Sequence, residues 1–359
     1  ECMKILLLCW RDTDHPQGGG SERYLEHVGA YLAARGHSVT YFSARAKGMP
    51  AHSTKKGVRH IRRGGKMTVY VAGLIHAAVH HYDAVVDTQN GIPFFARITH
   101  PRSTVLLTHH CHREQWPVAG PVLSRLGWFL ESRVAPRVYR GAPYVTVSDS
   151  SKRELVRLGV REKDIRVIHN GGPALAPQSN RHSDRLVTLS RLVPHKRIEH
   201  VLDYLAARPD ARLDVIGSGW WDPKLRSYAR ELGVESQVIF HGQVTEARKG
   251  ELLDQAGIHV MPSVKEGWGL AVIEAGLHGV PTVGYTRAGG LTDSIRNGST
   301  GLLVDDKSHL FSAIDTLRAN PDLRAELGAN ARLFAAQFSW DATGKKWEGL
   351  LLERGGINS

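Results

Sequence analysis

Cysteine is scarce in this chain of 359 residues. Cys2, Cys9 and Cys111 are few, odd in number and far apart, so no disulfide framework follows and a reducing compartment is expected. Long apolar runs are missing too. None approaches the ~20 residues a membrane-spanning helix needs. The N-terminus runs directly into a strand-like segment, Ile5 to Cys9, without an apolar stretch of signal-peptide length. A cytoplasmic location is therefore expected, with peripheral contact at the inner membrane face as an extension of it. Acidic residues are outnumbered 35 to 47 by Lys and Arg, for a net charge of +12. Such a balance calls for an anionic partner: nucleotide phosphates, an anionic membrane surface or nucleic acid. The run Lys55-Lys56-Gly57-Val58-Arg59-His60-Ile61-Arg62-Arg63 concentrates the charge. It reads first as a solvated basic loop and second as a membrane-attracted one. No aromatic residue is interleaved with it, which argues against nucleic acid.

What is present points to two α/β domains. The length suits two cores of ordinary size. Ile5 to Cys9 reads as a strand, Gly18-Gly19-Gly20 as a breaker, and Ser21 as the N-cap of a helix that ends at Gly36 before a strand from Ser38 to Phe42. That is a βαβ unit, so a parallel sheet is expected. Ala84-Val85-Val86, Thr104 to Leu107 and Tyr144 to Val147 continue the pattern. It restarts at Leu186 to Leu189, followed by Arg212 to Ile216 closed by Gly217-Ser218-Gly219, then Val238 to Phe240, His259 to Met261 and Thr282-Val283. The Pro-containing segment 171–184 reads as a linker. The expected organisation is 1–170, 171–340 and a last helix, 341–359, that docks elsewhere through Trp347, Leu350 and Leu351. In open α/β sheets ligands bind beyond the carboxyl ends of the strands, so the chemistry is expected in a cleft between two facing sheets.

Two segments carry residues suited to that chemistry. Glu266-Gly-Trp-Gly-Leu-Ala-Val-Ile-Glu274 follows a strand and opens a helix near Leu270. Gly267 and Gly269 permit close backbone approach, and the free N–H groups at Leu270 suit a phosphate. Glu266 and Glu274 are placed to accept hydrogen bonds from the hydroxyls of a sugar or ribose. Ser190-Arg191-Leu-Val-Pro-His-Lys196 sits at the end of another strand. Its two cations match what a departing diphosphate needs, a bidentate guanidinium and a compact ammonium.

The ordered set of Gly19-Gly20-Ser-Glu22 after the first strand, Asn170-Gly171, Ser190-Arg191 with Lys196, and Glu266-x7-Glu274 resembles the GT4 family of retaining glycosyltransferases with the GT-B fold. The resemblance covers nearly the whole chain. It implies two Rossmann-like domains, the first binding acceptor and the second binding nucleotide sugar. It further implies that Arg191 and Lys196 bind the diphosphate, that Glu274 binds the ribose and that Glu266 holds the transferred sugar. Gly19 and Gly20 would approach the diphosphate or the acceptor, Gly217 would join the donor contacts, and Val244 would end a backbone cradle for the base. A histidine after a strand of the first domain is also implied. Thr108-His109-His110-Cys111-His112 offers three, of which the family spacing selects His110.

The implied reaction moves a hexose from a UDP- or GDP-sugar to an acceptor hydroxyl, on a small molecule or a lipid-linked glycan, with no metal and no cofactor. Successive residues on a strand exit alternate in direction, so the His/Cys cluster does not suit a metal. Asp12-Thr-Asp14 is expected to be a mobile acceptor loop. A nucleotide-sugar epimerase of the same fold and a non-catalytic sugar-nucleotide-binding protein are the alternative readings.

Overall fold

A computed structural model describes residues 1–16, 19–109, 121–172 and 183–355. They form two compact units, Glu1–Gly171 with Trp340–Ser359, and Gly172–Ser339. The chain thus passes between units twice, at Gly171/Gly172 and Ser339/Trp340.

The first unit holds eight strands: β1 (Lys4–Leu8), β2 (Ser38–Ser43), β3 (His52–Lys55), β4 (Val58–Arg62), β5 (Ala84–Gln89), β6 (Thr104–Thr108), β7 (Tyr144–Thr146) and β8 (Ile165–Val167). Their order in the sheet is β3-β4-β2-β1-β5-β6-β7-β8, and every neighbouring pair is parallel except β3–β4. Its helices are α1 (Gly20–Ala34), α2 (Thr68–Val79), α3 (Pro121–Phe129), α4 (Ala135–Val138) and α5 (Asp149–Arg157). The second unit holds β9 (Leu186–Leu189), β10 (Leu213–Ile216), β11 (Val238–Gly242), β12 (Ile258–Met261), β13 (Thr282–Tyr285) and β14 (Gly301–Val304) in the order β11-β10-β9-β12-β13-β14, all parallel. Its helices are α6 (Glu199–Ala207), α7 (Asp222–Leu232), α8 (Glu246–Gln255), α9 (Leu270–Leu277), α10 (Leu291–Ser294), α11 (Lys307–Ala319) and α12 (Pro321–Ala335), while α13 (Trp340–Arg354) returns to the first unit.

Strand periodicity explains the layers. Ile5 and Leu7 of β1 turn to one face, under Tyr24, Leu25, Val28 and Leu32 of α1 and Trp347, Leu350 and Leu351 of α13. Leu6 and Leu8 turn to the other, under Val69 and Ala77 of α2. Trp347 is fully buried, and its indole N–H donates to the Tyr24 hydroxyl at 2.7 Å. Tyr24 in turn donates to the carbonyl of Ile168 at 2.9 Å. The returning helix is thereby built into this core.

Three local expectations change. The N-cap of α1 is Gly19 rather than Ser21. The Glu22 carboxylate reaches back to accept the Gly19 N–H at 2.8 Å, so the helix starts two residues earlier. The basic run is not a solvated loop but the β3–β4 hairpin at the sheet edge. Its charge hid a strand, because Arg62 is buried against Asp12 at 2.6 Å and Lys55 pairs with Asp14 and Glu26. Nor is Asp12 part of a mobile loop. It is fully buried and takes hydrogen bonds from Arg62 and His60 and from the N–H groups of Asp14 and His15. Burial alone would raise its pKa, but the His60 and Arg62 contacts outweigh that and lower it to about 2.

Trp347→Ala is expected to destabilise the first unit by about 3–5 kcal/mol, since it empties a packed site and orphans a hydroxyl contact. Denaturant unfolding followed through that unit's tryptophan fluorescence measures it.

Candidate functional site

The site begins with a sheet that comes apart. β9 connects to β10 on one side, while β12 lies on its other side and connects to β13. The chain therefore leaves β9 and β12 in opposite directions, which opens a crevice at their carboxyl ends. The ladder between them pairs only Ile258 with Leu186 and His259 with Val187. Beyond it, side chains stitch the strands. Thr188 Oγ1 donates to the Val260 carbonyl at 3.1 Å, and His259 Nε2 accepts the Leu189 N–H at 3.3 Å. That acceptor role puts the ring proton on Nδ1, facing Thr282 Oγ1 at 2.9 Å.

The two loops above this gap carry the predicted cations and carboxylates. After β9 come Ser190, an exposed Arg191 and a short turn, Pro194–Lys196. After β12 comes the loop Pro262 to Gly269. The Val264 N–H donates to the His195 carbonyl at 3.0 Å and ties the loops together. Lys196 Nζ then meets Glu266 Oε1 at 2.5 Å, both side chains at least 85% buried. Ser263 donates to the same carboxylate oxygen at 2.6 Å. Arg191, Lys196 and Lys265 all press on His195, whose pKa is lowered first by burial and then by Lys196. The backbone of Glu266 is clamped as well. Its N–H donates to Ala288 at 2.8 Å, and its carbonyl accepts from Gly290 at 2.9 Å. A Cβ at Gly290 would lie 2.2 Å from the Gly267 carbonyl, so only glycine allows this approach.

Glu274 lies one turn inside α9 and pairs with Lys249 of α8 at 2.6 Å. Lys249 also reaches Glu246 at 3.0 Å. Burial works against the Lys249 charge, but Glu274 and Glu246 overcome it and raise the pKa.

The glycines divide by role. Gly267 faces open space. Gly269, the N-cap of α9, has φ +80° and is crowded by Leu291 and Ser294, so the backbone conformation by itself requires glycine there. Gly217 has φ +128°, and a Cβ there would sit 1.8 Å from the Ser190 carbonyl. Its need is to let the β10 loop pass beneath Ser190. Leu270 is the first residue of α9, and Val244, like Leu189, packs against the buried cluster of Val187, Ile216 and Leu252. Gly19 and Gly20 open α1 in the first unit, and a Cβ on Gly20 would meet nothing within 4 Å. Of the three histidines, His109 is buried at the end of β6, its ring edge-on to Tyr24 at 5.2 Å. His110, the residue selected from sequence, and His112 lie outside the described residues, as does Cys111. Among the described residues no group of three or more His, Cys, Asp or Glu gathers in a metal-holding arrangement. An open groove of about 500 Å³ runs between α6 and α7, lined by Glu199, Asp203 and Tyr228, and none of the candidate donor residues lines it.

Sequence reading did not find Ser263, Lys249 or Lys265. Ser263-x-x-Glu266 has the spacing of a reciprocal cap and was the one readable signal. Lys249 is 25 positions from Glu274 and becomes its partner only through the fold.

Two parallel α/β units with a switch-point crevice are the architecture of GT-B glycosyltransferases, and solved structures match it over almost the full chain. Sucrose-phosphate synthase from Thermosynechococcus elongatus superposes with a TM-score of 0.82 at 21% identity, covering 99% of both chains. Anabaena HepE in complex with UDP and glucose superposes with 0.73 at 19% identity, covering 98% of this chain and 100% of that one. The family profile described as Glycosyltransferase Family 4 matches residues 18–172, and that of Glycosyl transferases group 1 matches residues 176–334. This chain belongs to the GT4 glycosyltransferases. A D-inositol 3-phosphate glycosyltransferase of Acidothermus cellulolyticus is 40% identical over 122 residues, which cover 33% of this chain and 27% of that one. A GDP-mannose-dependent alpha-(1-6)-phosphatidylinositol monomannoside mannosyltransferase of Mycobacterium tuberculosis is 28% identical, covering 96% and 97%.

Burial pushes the His259 pKa down to about 4. Between that value and the unfolded value of about 6.5 the folded state binds fewer protons, so stability is present above pH 6.5 and is lost as pH falls towards 4. The second unit is expected to lose roughly 1–2 kcal/mol through this residue between pH 7 and 5. Thermal unfolding across that range checks it, and His259→Gln, which keeps an acceptor for Leu189, should flatten the dependence.

Proposed function

We propose that the protein transfers a hexose from a nucleoside-diphosphate sugar to an acceptor hydroxyl with retention of configuration. The observation that carries this reading is the meeting of Lys196 and Glu266 at the switch point, with Arg191 and Lys265 beside them. A sugar nucleotide laid across these loops would put its diphosphate against Arg191 and Lys196 and its hexose hydroxyls against Glu266. Glu274, held by Lys249, would accept from the ribose, and the residues up to Val244 would flank the base. The mannosyltransferase relative, aligned over nearly the whole of both chains, favours a guanosine donor. Its name and that of the inositol-phosphate relative favour an inositol-containing or lipid-borne acceptor.

In this reading the acceptor hydroxyl attacks the anomeric carbon as the C–O bond to the diphosphate breaks. The departing phosphate oxygen takes the hydroxyl proton on the same face. Charge builds on that phosphate, and fixed cations stabilise it without reorganising at the moment of reaction. Lys196 has three N–H donors, so it can keep Glu266 and still donate to a phosphate. No divalent ion enters the step.

Lys196→Ala is expected to lower turnover by about 10²–10³-fold. Removing one partner of a largely buried pair also costs stability, so a circular-dichroism spectrum and melting point must accompany the rate. Near-normal turnover in the folded variant would remove Lys196 from the mechanism. Incubation with GDP-mannose alone, followed by nucleotide release, tests the activity class: slow hydrolysis supports transfer, whereas conversion of the donor to an isomer would overturn it. Chelation with EDTA is expected to leave the rate unchanged, and loss of activity restored by Mg²⁺ or Mn²⁺ would refute the metal-free step.

A further inference from the structure

Helices α6 and α7 share one core, and each carries a second stripe besides the one it buries. Val201, Leu202 and Leu205 of α6 and Leu225 and Ala229 of α7 enter the core of the second unit. Above them Glu199 and Asp203, four residues apart, face Lys224, Ser227, Tyr228 and Glu231, which are spaced three and four apart. Neighbouring helices ordinarily pack without a gap of any size. Here the seam stays open as the groove of about 500 Å³, and Trp221 at the start of α7 and Lys307 at the start of α11 complete its lining.

Part of this lining is fixed by its own contacts. Tyr228 donates its hydroxyl to Asp203 Oδ1, and Lys307 Nζ meets Asp203 Oδ2 at 2.5 Å. The hydrogen bond to Asp203 and then burial, with Glu199 and Glu231 adding, push the Tyr228 pKa up to about 12, so its hydroxyl stays a donor. The rest of the lining has capacity to spare. The Trp221 indole N–H donates to Glu199 Oε2 at 3.4 Å, while Glu199 Oε1 is buried with no hydrogen-bond partner. A buried carboxylate oxygen without a donor is costly. The side chains of Lys224, Ser227 and Glu231 also have no hydrogen-bond or ion-pair partner among the described residues. Trp220, edge-on to Trp221 at 5.4 Å, leaves 69% of its surface to water.

The mixture of groups selects the ligand. A cation would meet Lys224 and Lys307, and an anion would meet Glu199, Asp203 and Glu231. Hydroxyl groups donate to carboxylates and accept from ammonium groups, so a polyhydroxylated ligand satisfies both signs. Indole and phenol rings add flat apolar area for the C–H faces of a sugar ring. We propose that this groove is a second carbohydrate site, which binds an uncharged saccharide chain through Glu199, Lys224 and Glu231 with Trp221 and Tyr228 as its aromatic wall. It is separate from the switch-point crevice, because Arg191, Lys196, Glu266 and Glu274 do not line it. It backs onto the same loop, since the Trp221 N–H donates to the Leu192 carbonyl at 3.0 Å. The inference does not rest on the sugar-transfer reading. Its residues are different, and its readout is binding.

Isothermal titration calorimetry of the full chain with maltotriose, α-1,6-mannotriose and chitotriose tests it. At least one trisaccharide is expected to bind saturably, and neither spermidine nor pyrophosphate should displace it. Lys224→Gln with Glu231→Gln, two exposed side chains, should weaken binding by on the order of 10-fold, the loss that accompanies hydrogen bonds to charged groups. Trp221→Leu should weaken it at least ~10-fold by removing the aromatic wall, with a melting point to show that the variant folds. Saturating GDP should leave the affinity unchanged. Failure of all three trisaccharides to bind, or equal affinity in the wild type and the Lys224→Gln/Glu231→Gln variant, would overturn the proposal. So would displacement by GDP, which would put the saccharide in the donor crevice, and displacement by spermidine, which would mark a cation site. Hydrolysis of GDP-mannose, expected to be unchanged in the Lys224→Gln/Glu231→Gln variant, reports on the transfer reading separately.

Discussion

The second unit depends on one constraint: β9 and β12 are neighbours whose chains leave in opposite directions. Two residue pairs hold them, and past Val187 the backbone ladder gives way to the side chains of Thr188 and His259. A buried imidazole is an unusual cross-strand link, because it must stay neutral to keep accepting the Leu189 N–H. The gap it bridges lets the loops after β9 and β12 rise independently and meet again at Lys196 and Glu266. Had the strands paired along their full length, these loops would be crowded. Gly217 and Gly290 answer the same pressure from either side, each allowing one loop backbone to pass over another.

Lys196 and Glu266 are too buried to be ordinary surface partners and not buried enough to lose all contact with water. A pair in this regime contributes little net stability, since lost hydration offsets much of the attraction. Its worth is positional. On the proposed reading the ammonium stands where a diphosphate would arrive, and Ser263 donates to the same carboxylate oxygen that Lys196 meets. Lys249 does the same for Glu274, with Glu246 as its second anchor. Each carboxylate that the proposed reading assigns to sugar hydroxyls is thus held by a lysine. Little reorganisation then separates the resting loops from a donor-binding arrangement.

Much of this was legible in the sequence, and the parts that were not share a cause. Period-2 and period-3.6 patterns and glycine punctuation located the parallel strands and the returning helix of Trp347. Loop residues at strand ends pointed to Arg191, Lys196, Glu266 and Glu274, and the structure brings Lys196 together with Glu266. Errors arose where a residue serves the fold while looking like something else. Arg62 and Lys55 looked like a solvated charge run because their partners, Asp12, Asp14 and Glu26, are distant in sequence. Asp12 looked like a loop residue because nothing local shows a buried carboxylate. At Gly217 and Gly269 the sequence left the reason for glycine open, because a glycine required by a neighbouring backbone and one required by a ligand leave the same mark. Ser263 and Lys249 were missed because one acts through Glu266 and the other through a tertiary contact.

The division of charge adds what the local sites do not contain. Net charge acts over distances set by screening, about 8–10 Å at ordinary ionic strength, so a neutral unit can still hold a diphosphate through three cations gathered at one loop pair. Long-range attraction is a property of the other unit, which holds 28 Lys and Arg against 16 Asp and Glu, whereas residues 172–339 hold 19 of each. A sugar-nucleotide site needs local order and little net field, because its ligand is small and must leave after turnover. The sequence total of +12 is therefore the sum of a neutral unit, whose cations are gathered at one loop pair, and a unit that carries the whole surplus.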